Sequence, residues 1–180
     1  MIFSGILKAL KGEDDWQDEF DLTARALPRS FGAIFLCIPL FMLITKAVVK
    51  YNDNSGEAPY LAIGLVLGFM ALSFPVVAYI LCLVFDRVSV FRPWVIVRNW
   101  AFLCVMVLIA MAFGLYLLGL LPFSFAYVIG LALYLGTLAL DIRLASRVAG
   151  FDWMGSVFTA ILINMTSMMV LYLGLVQALA

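Results

Sequence analysis

Residues 13–40 read EDDWQDEFDLTARALPRSFGAIFLCIPL, and the change of character inside that stretch decides the fold. Its first half carries Glu13, Asp14, Asp15, Asp18, Glu19 and Asp21; from Ser30 onward no charge appears until Lys46. The run from Ser30 to about Val49 approaches the roughly 20 apolar residues that a helix needs to cross a bilayer. Upstream, Trp16, Phe20, Thr23 and Leu27 fall near helical spacing on one face, with the acids elsewhere. Asp14 or Asp15 is placed to cap such a helix, and Pro28 to end or kink it. The stretch therefore predicts an acidic amphipathic helix that hands over to a membrane span.

The rest of the chain repeats the apolar half. Of 180 residues, 66% are hydrophobic and 12% charged, against about 45–50% and 25% in soluble domains. Further spans are predicted over about 60–85, 94–120, 125–140 and 153–176, separated by the polar connection Tyr51–Pro59, the charged turn Asp86–Pro93, the uncharged hairpin Leu121–Ser124 and the charged connection Asp141–Asp152. Before them, MIFSGILKALK sets Ile2, Phe3, Ile6, Leu7 and Leu10 at helical spacing opposite Lys8 and Lys11, which predicts a short helix lying in the membrane interface. Its lysines follow the apolar residues, unlike those of a signal peptide. The expected fold is all-α and polytopic: residues 1–29 form amphipathic interfacial helices, and residues 30–180 a domain of about five transmembrane helices.

Five spans put the chain's ends on opposite sides. Lys8, Lys11, Arg25, Arg29, Arg87, Arg92, Arg98, Arg143 and Arg147 share one side, against only Lys46 and Lys50 on the other. Because basic residues are retained in the cytoplasm, the N-terminus is expected inside and the C-terminus outside, with a bacterial inner membrane as the setting.

The composition also excludes chemistries. With no histidine, the commonest general base and metal ligand is missing. Cys37, Cys82 and Cys104 are isolated in apolar runs, where a thiol usually behaves as a small hydrophobe, so no metal site or disulfide framework is expected. No phosphate loop, zinc-protease or nucleophile-elbow motif occurs, and no pair of deep carboxylates is expected. No catalytic residue and no cofactor are assigned. A net charge of zero gives nothing to attract nucleic acid.

What remains is binding. Arg25, Arg29, Arg87, Arg92, Arg98, Arg143 and Arg147 form a rim whose usual role is topology signal and local ion pairing, and whose functional reading is contact with anionic lipid headgroups or a partner. Arg98 is expected to reach the headgroups and Asp141 to sit at a helix end, leaving every span without a charge near its centre. Asp14, Asp15, Asp18 and Glu19 are candidate partner-facing acids, for another membrane or cytoplasmic protein. Asn164, Thr166 and Ser167 are the most polar mid-span group, and Asn164 and Ser167 share a helix face. Gly64-x-x-x-Gly68 is read as an intramolecular packing face, and Met165, Met168 and Met169 as packing filler. The leading expectation is a non-enzymatic subunit that binds lipid or a partner. The alternative is a small permease with an uncharged path near Pro39, Pro75 and Asn164, where carbonyls freed by the prolines could line a cavity.

Overall fold

The computed structural model describes residues 2–52 and 60–179, among which every regular element is helical. Most of the connection expected at 51–59 lies outside the described residues. A short helix α1 (Ile2–Lys11) and a 3-10 segment (Asp14–Glu19) precede five long helices: α2 (Ala26–Tyr51), α3 (Tyr60–Val84), α4 (Val88–Leu117), α5 (Phe123–Arg147) and α6 (Trp153–Leu179). All five long helices are long and apolar enough to cross a membrane.

The helices alternate in direction, and contacts at both ends fix this. At one end, Lys50 of α2 donates to the Leu117 carbonyl of α4 (3.4 Å), and the Tyr51 ring stacks on Phe123 of α5 at 3.9 Å. At the other, Phe85 after α3 meets Phe151 before α6, edge on, with centroids 5.1 Å apart. In the middle stands α4, packed against α1, α2, α3 and α5. Its residues Trp94, Val95, Ile96 and Val97 are all buried, so no face of this turn is free, as expected of a helix apolar all round in a bundle core. One apolar cluster surrounds that turn with Phe74, Leu144 and Phe151; a second, toward the opposite end, joins Cys37, Met106, Ile109, Phe113 and Ala126. Gly130 makes the second possible, since a Cβ there would lie 2.9 Å from Phe113 Cε2.

The helix bounds differ from those expected in an instructive direction. The second arginine-bearing turn shrinks, because α4 already begins at Val88 and carries Pro93 within it. At the end of α5 the helix runs past Leu140 to Arg147, taking Asp141 inside. Likewise α2 starts at Ala26, so Pro28 and Ser30 lie in its first turns. Charges that mark boundaries in the sequence lie within helices in the fold.

Before α2 the departure is larger. No single helix spans residues 14–27: the 3-10 segment stops at Phe20, whose backbone is extended (φ −119°, ψ 139°), and the Thr23 amide donates to the Asp21 carboxylate at 3.0 Å. That local turn competes with helix continuation in the way short acidic side chains often do. Glu13, not Asp14 or Asp15, occupies the cap position, and its side chain makes no capping bond. Trp16 and Phe20 are buried in the first cluster and Leu27 packs against it, whereas Thr23 is exposed. Ile6 and Ala9 of α1 join the same cluster, and Ile2, Phe3 and Leu7 face outward. Two glycines permit this docking. A Cβ at Gly5 would fall 2.6 Å from Phe20 Cε2, and Gly12, at φ +81°, lets the Arg147 guanidinium approach where a side chain would stand.

Candidate functional site

Ten residues into α4, about 15 Å along its axis at 1.5 Å per residue, Arg98 turns toward α5. Its Nε donates to Asp141 Oδ1 at 3.2 Å and its Nη2 to Oδ2 at 3.4 Å, a two-point pairing of guanidinium and carboxylate. The pair is deep: the side chains are 11% and 2% exposed. Two rings lie against the cation, with Phe74 4.3 Å and Phe102 5.2 Å from Arg98 Cζ. Asn164 of α6 closes the group by donating from Nδ2 to Asp141 Oδ2 (3.5 Å) and to the Ala160 carbonyl (3.1 Å). Three helices thus meet at one charge pair.

Asp141 was expected at a helix end, but α5 runs six residues past it, to Arg147, so both charges lie buried within helices. A buried charge is tolerated when paired and hydrogen-bonded, and the two partners lie 43 positions apart in sequence. Nearby, Asn99 donates to Ser30 Oγ at 3.0 Å while Ser30 donates to the Leu27 carbonyl at 2.7 Å; both side chains are 1% exposed and tie α2 to α4.

Beside the ion pair, α2 and α3 diverge around a cavity of about 380 Å3, within the roughly 300–1,000 Å3 typical of small-molecule sites. Phe31, Ile34 and Phe35 line it from α2, and Gly64, Gly68 and Leu72 from α3. The floor is polar: Arg98, Tyr134, Thr137, Asn164 and Ser167. Among the described residues, Gly64 and Gly68 do not bring helices together as expected, since none lies within 4 Å of a Cβ built at either one. Their missing side chains make room. At the rim, Phe35 and Leu72 are exposed by 71% and 59%.

The polar inventory of the floor is incomplete in a useful way. Arg98 Nη1 makes no hydrogen bond among the described residues, nor do the Asn164 carbonyl oxygen and the Tyr134 hydroxyl. Thr137 spends its proton on the Tyr134 carbonyl at 2.6 Å, which leaves its oxygen free to accept. A second groove of about 530 Å3, between α3 and α6, has Ser73 and Thr166 as its polar members. Each hydroxyl donates to its own helix, Ser73 to Met70 and Thr166 to Leu162, both at 2.8 Å. It has little with which to recognise a polar ligand.

The other sequence candidates scatter. Neither Pro39 nor Pro75 lines the cavity, whose floor near Asn164 includes Arg98. Arg87 donates to the Ala149 carbonyl (3.4 Å), and Arg29 is 4.0 Å from Asp21. Arg25, Arg92, Arg143 and Arg147 are exposed. Among the acids, Asp15 and Glu19 pair with Lys8 at 2.7 and 2.9 Å, which holds the Lys8 ammonium above its ordinary range, Asp15 contributing most. Asp14 and Asp18 remain exposed. Met165, Met168 and Met169 are exposed by 66, 48 and 64%, on the outer surface and not in the core. Among the described residues no group of three His, Cys, Asp or Glu side chains could hold a metal ion.

The chain stands apart in comparison. No family model, curated protein or solved structure matches it. Any function must be argued from the bundle itself.

Proposed function

We propose that this is a non-catalytic, multi-pass protein of a bacterial inner membrane, N-terminus in the cytoplasm and C-terminus outside, that binds one lipid-like molecule between α2 and α3. The observation that carries the reading is the cavity itself: apolar walls from two separated helices above a floor of five polar side chains. That combination suits an amphiphile, with its chain between Phe35 and Leu72 and its head at Arg98. The rim residues are exposed and apolar on helices long enough to span a bilayer, which suits entry from the lipid side. Arginine excess at the end shared by α1 supports the orientation. Glu13, Asp15 and Glu19 are better read as partners of Lys8 and Lys11 than as a docking face, which leaves only Asp14 and Asp18 facing out.

Two measurements test this. A phosphatase fused after the last residue is expected to be active, and a fluorescent protein fused there dark; the reverse pattern would remove the orientation. For the cavity, Gly68→Leu places a side chain where no described residue lies within 4 Å of the added Cβ. The variant is expected to keep its thermal stability and to lose most of the lipid that co-purifies at one-to-one stoichiometry with the native protein. Equal retention of that lipid by both proteins would overturn the cavity as the site.

A further inference from the structure

The charge balance of the floor narrows the ligand class, on the premise that the cavity binds an amphiphile as just argued. We infer that the site takes an uncharged amphiphile with a hydroxyl-bearing head, of the acylglycerol type, and that Asp141 is the specificity-determining residue that turns anionic lipids away.

Arg98 is the one basic side chain among the cavity-lining residues, and a lone arginine there would recruit a phosphate or carboxylate head. Asp141 cancels that attraction in advance. With the carboxylate at 3.2 Å and only 2% exposed, the floor carries no net charge before any ligand arrives. An anionic head would then bring one uncompensated negative charge into a poorly solvated site, or displace Asp141 and leave that carboxylate unpaired. Both are expensive in a medium of low polarity. A neutral head meets neither obstacle.

The unsatisfied groups describe what such a head should offer. Arg98 Nη1 and the Tyr134 hydroxyl can donate, and the Asn164 carbonyl and the Thr137 oxygen can accept. A hydroxyl does both, and an ester carbonyl supplies a further acceptor. A hydrocarbon chain alone would leave these donors and acceptors unpaired. An anion without a proton would satisfy only the donors. Asn164 also braces Asp141 at 3.5 Å, so the group that accepts from the ligand helps hold the carboxylate on Arg98.

The test uses the full chain in phosphatidylcholine nanodiscs with two photoactivatable probes of identical acyl chains, diacylglycerol and phosphatidic acid. The readout is the fraction of label on peptides from α2, α3 and α6 that line the cavity. In the native protein the diacylglycerol probe is expected to label these peptides at least roughly tenfold more than phosphatidic acid, a modest ratio that corresponds to about 1.4 kcal/mol. In Asp141→Asn the preference is expected to reverse, because Arg98 becomes an unpaired cation. Equal or stronger labelling by phosphatidic acid in the native protein would overturn the inference while leaving the cavity as a lipid site. An unchanged preference in a folded Asp141→Asn would remove Asp141 from the role. Should that variant not fold, the native comparison alone decides the ligand class. Labelling confined to the outer faces of the helices by both probes would instead sink the lipid-binding reading underneath.

Discussion

Replacing Arg98 with alanine is expected to remove about 3–5 kcal/mol of resistance to unfolding, because Asp141, 2% exposed, would be left as an unpaired buried carboxylate. Asp141→Ala should cost a similar amount, leaving the guanidinium beside Phe74 and Phe102 without its counter-charge. The informative variant is the double one. Arg98→Leu with Asp141→Leu removes both charges together, and such swaps are often neutral or stabilising by about 1–4 kcal/mol. Denaturant unfolding in mixed micelles, followed by tryptophan fluorescence, measures all of these. Single variants within about 1 kcal/mol of native, or losses that simply add in the double variant, would show that the pair is not a coupled buried unit. The double variant should also lose the floor's head-group selectivity while keeping the fold, which separates the pair's two roles.

Trp94→Ala is expected to cost about 3–5 kcal/mol, the range for removing a fully buried aromatic ring. The side chain has no exposed surface and meets Phe74 and Phe151 edge on, with centroids 5.6 and 5.7 Å away. Its deletion would hollow the place where α3, α4 and the approach to α6 converge, beneath the ring that supports Arg98. Trp94 Nε1 has no hydrogen-bond partner among the described residues, so packing supplies nearly all of its contribution. Trp153, 72% exposed at the start of α6, serves as the control. Its alanine variant should fall within about 0.5 kcal/mol of native, as outward-facing substitutions usually do. Equal losses at the two positions would contradict the core described above.

How much of the molecule is legible in its sequence follows from range. The five spans are local in origin, since long uncharged runs such as Ser30–Thr45 state their environment by composition alone. Asn164 and Ser167 are also visible as a pair because three positions on a helix share a face, and both line the cavity. Arg98 and Asp141 are individually conspicuous yet misleading, since each in isolation looks like the edge of a span. Only their pairing across 43 positions makes either tolerable inside. The glycines mislead for a related reason: Gly64-x-x-x-Gly68 gives the same pattern whether a helix packs there or stays away, and the neighbouring element decides. The helix expected at 14–27 fails locally, because its apolar periodicity is real but the Asp21–Thr23 turn ends it early.

The docking of the N-terminal segment sets an order of events during synthesis. Trp16 and Phe20 leave the ribosome first, but the apolar cluster they share with Leu144 and Phe151 is completed more than 120 positions later in the chain. At roughly 5–20 residues per second, those rings wait on the order of ten seconds without their final neighbours. Closure of this segment over α4 and α5 therefore has to wait until both helices have been made. A chain stalled before α5 would display Trp16 and Phe20 unburied, a ready handle for the chaperones and proteases that remove incomplete membrane proteins.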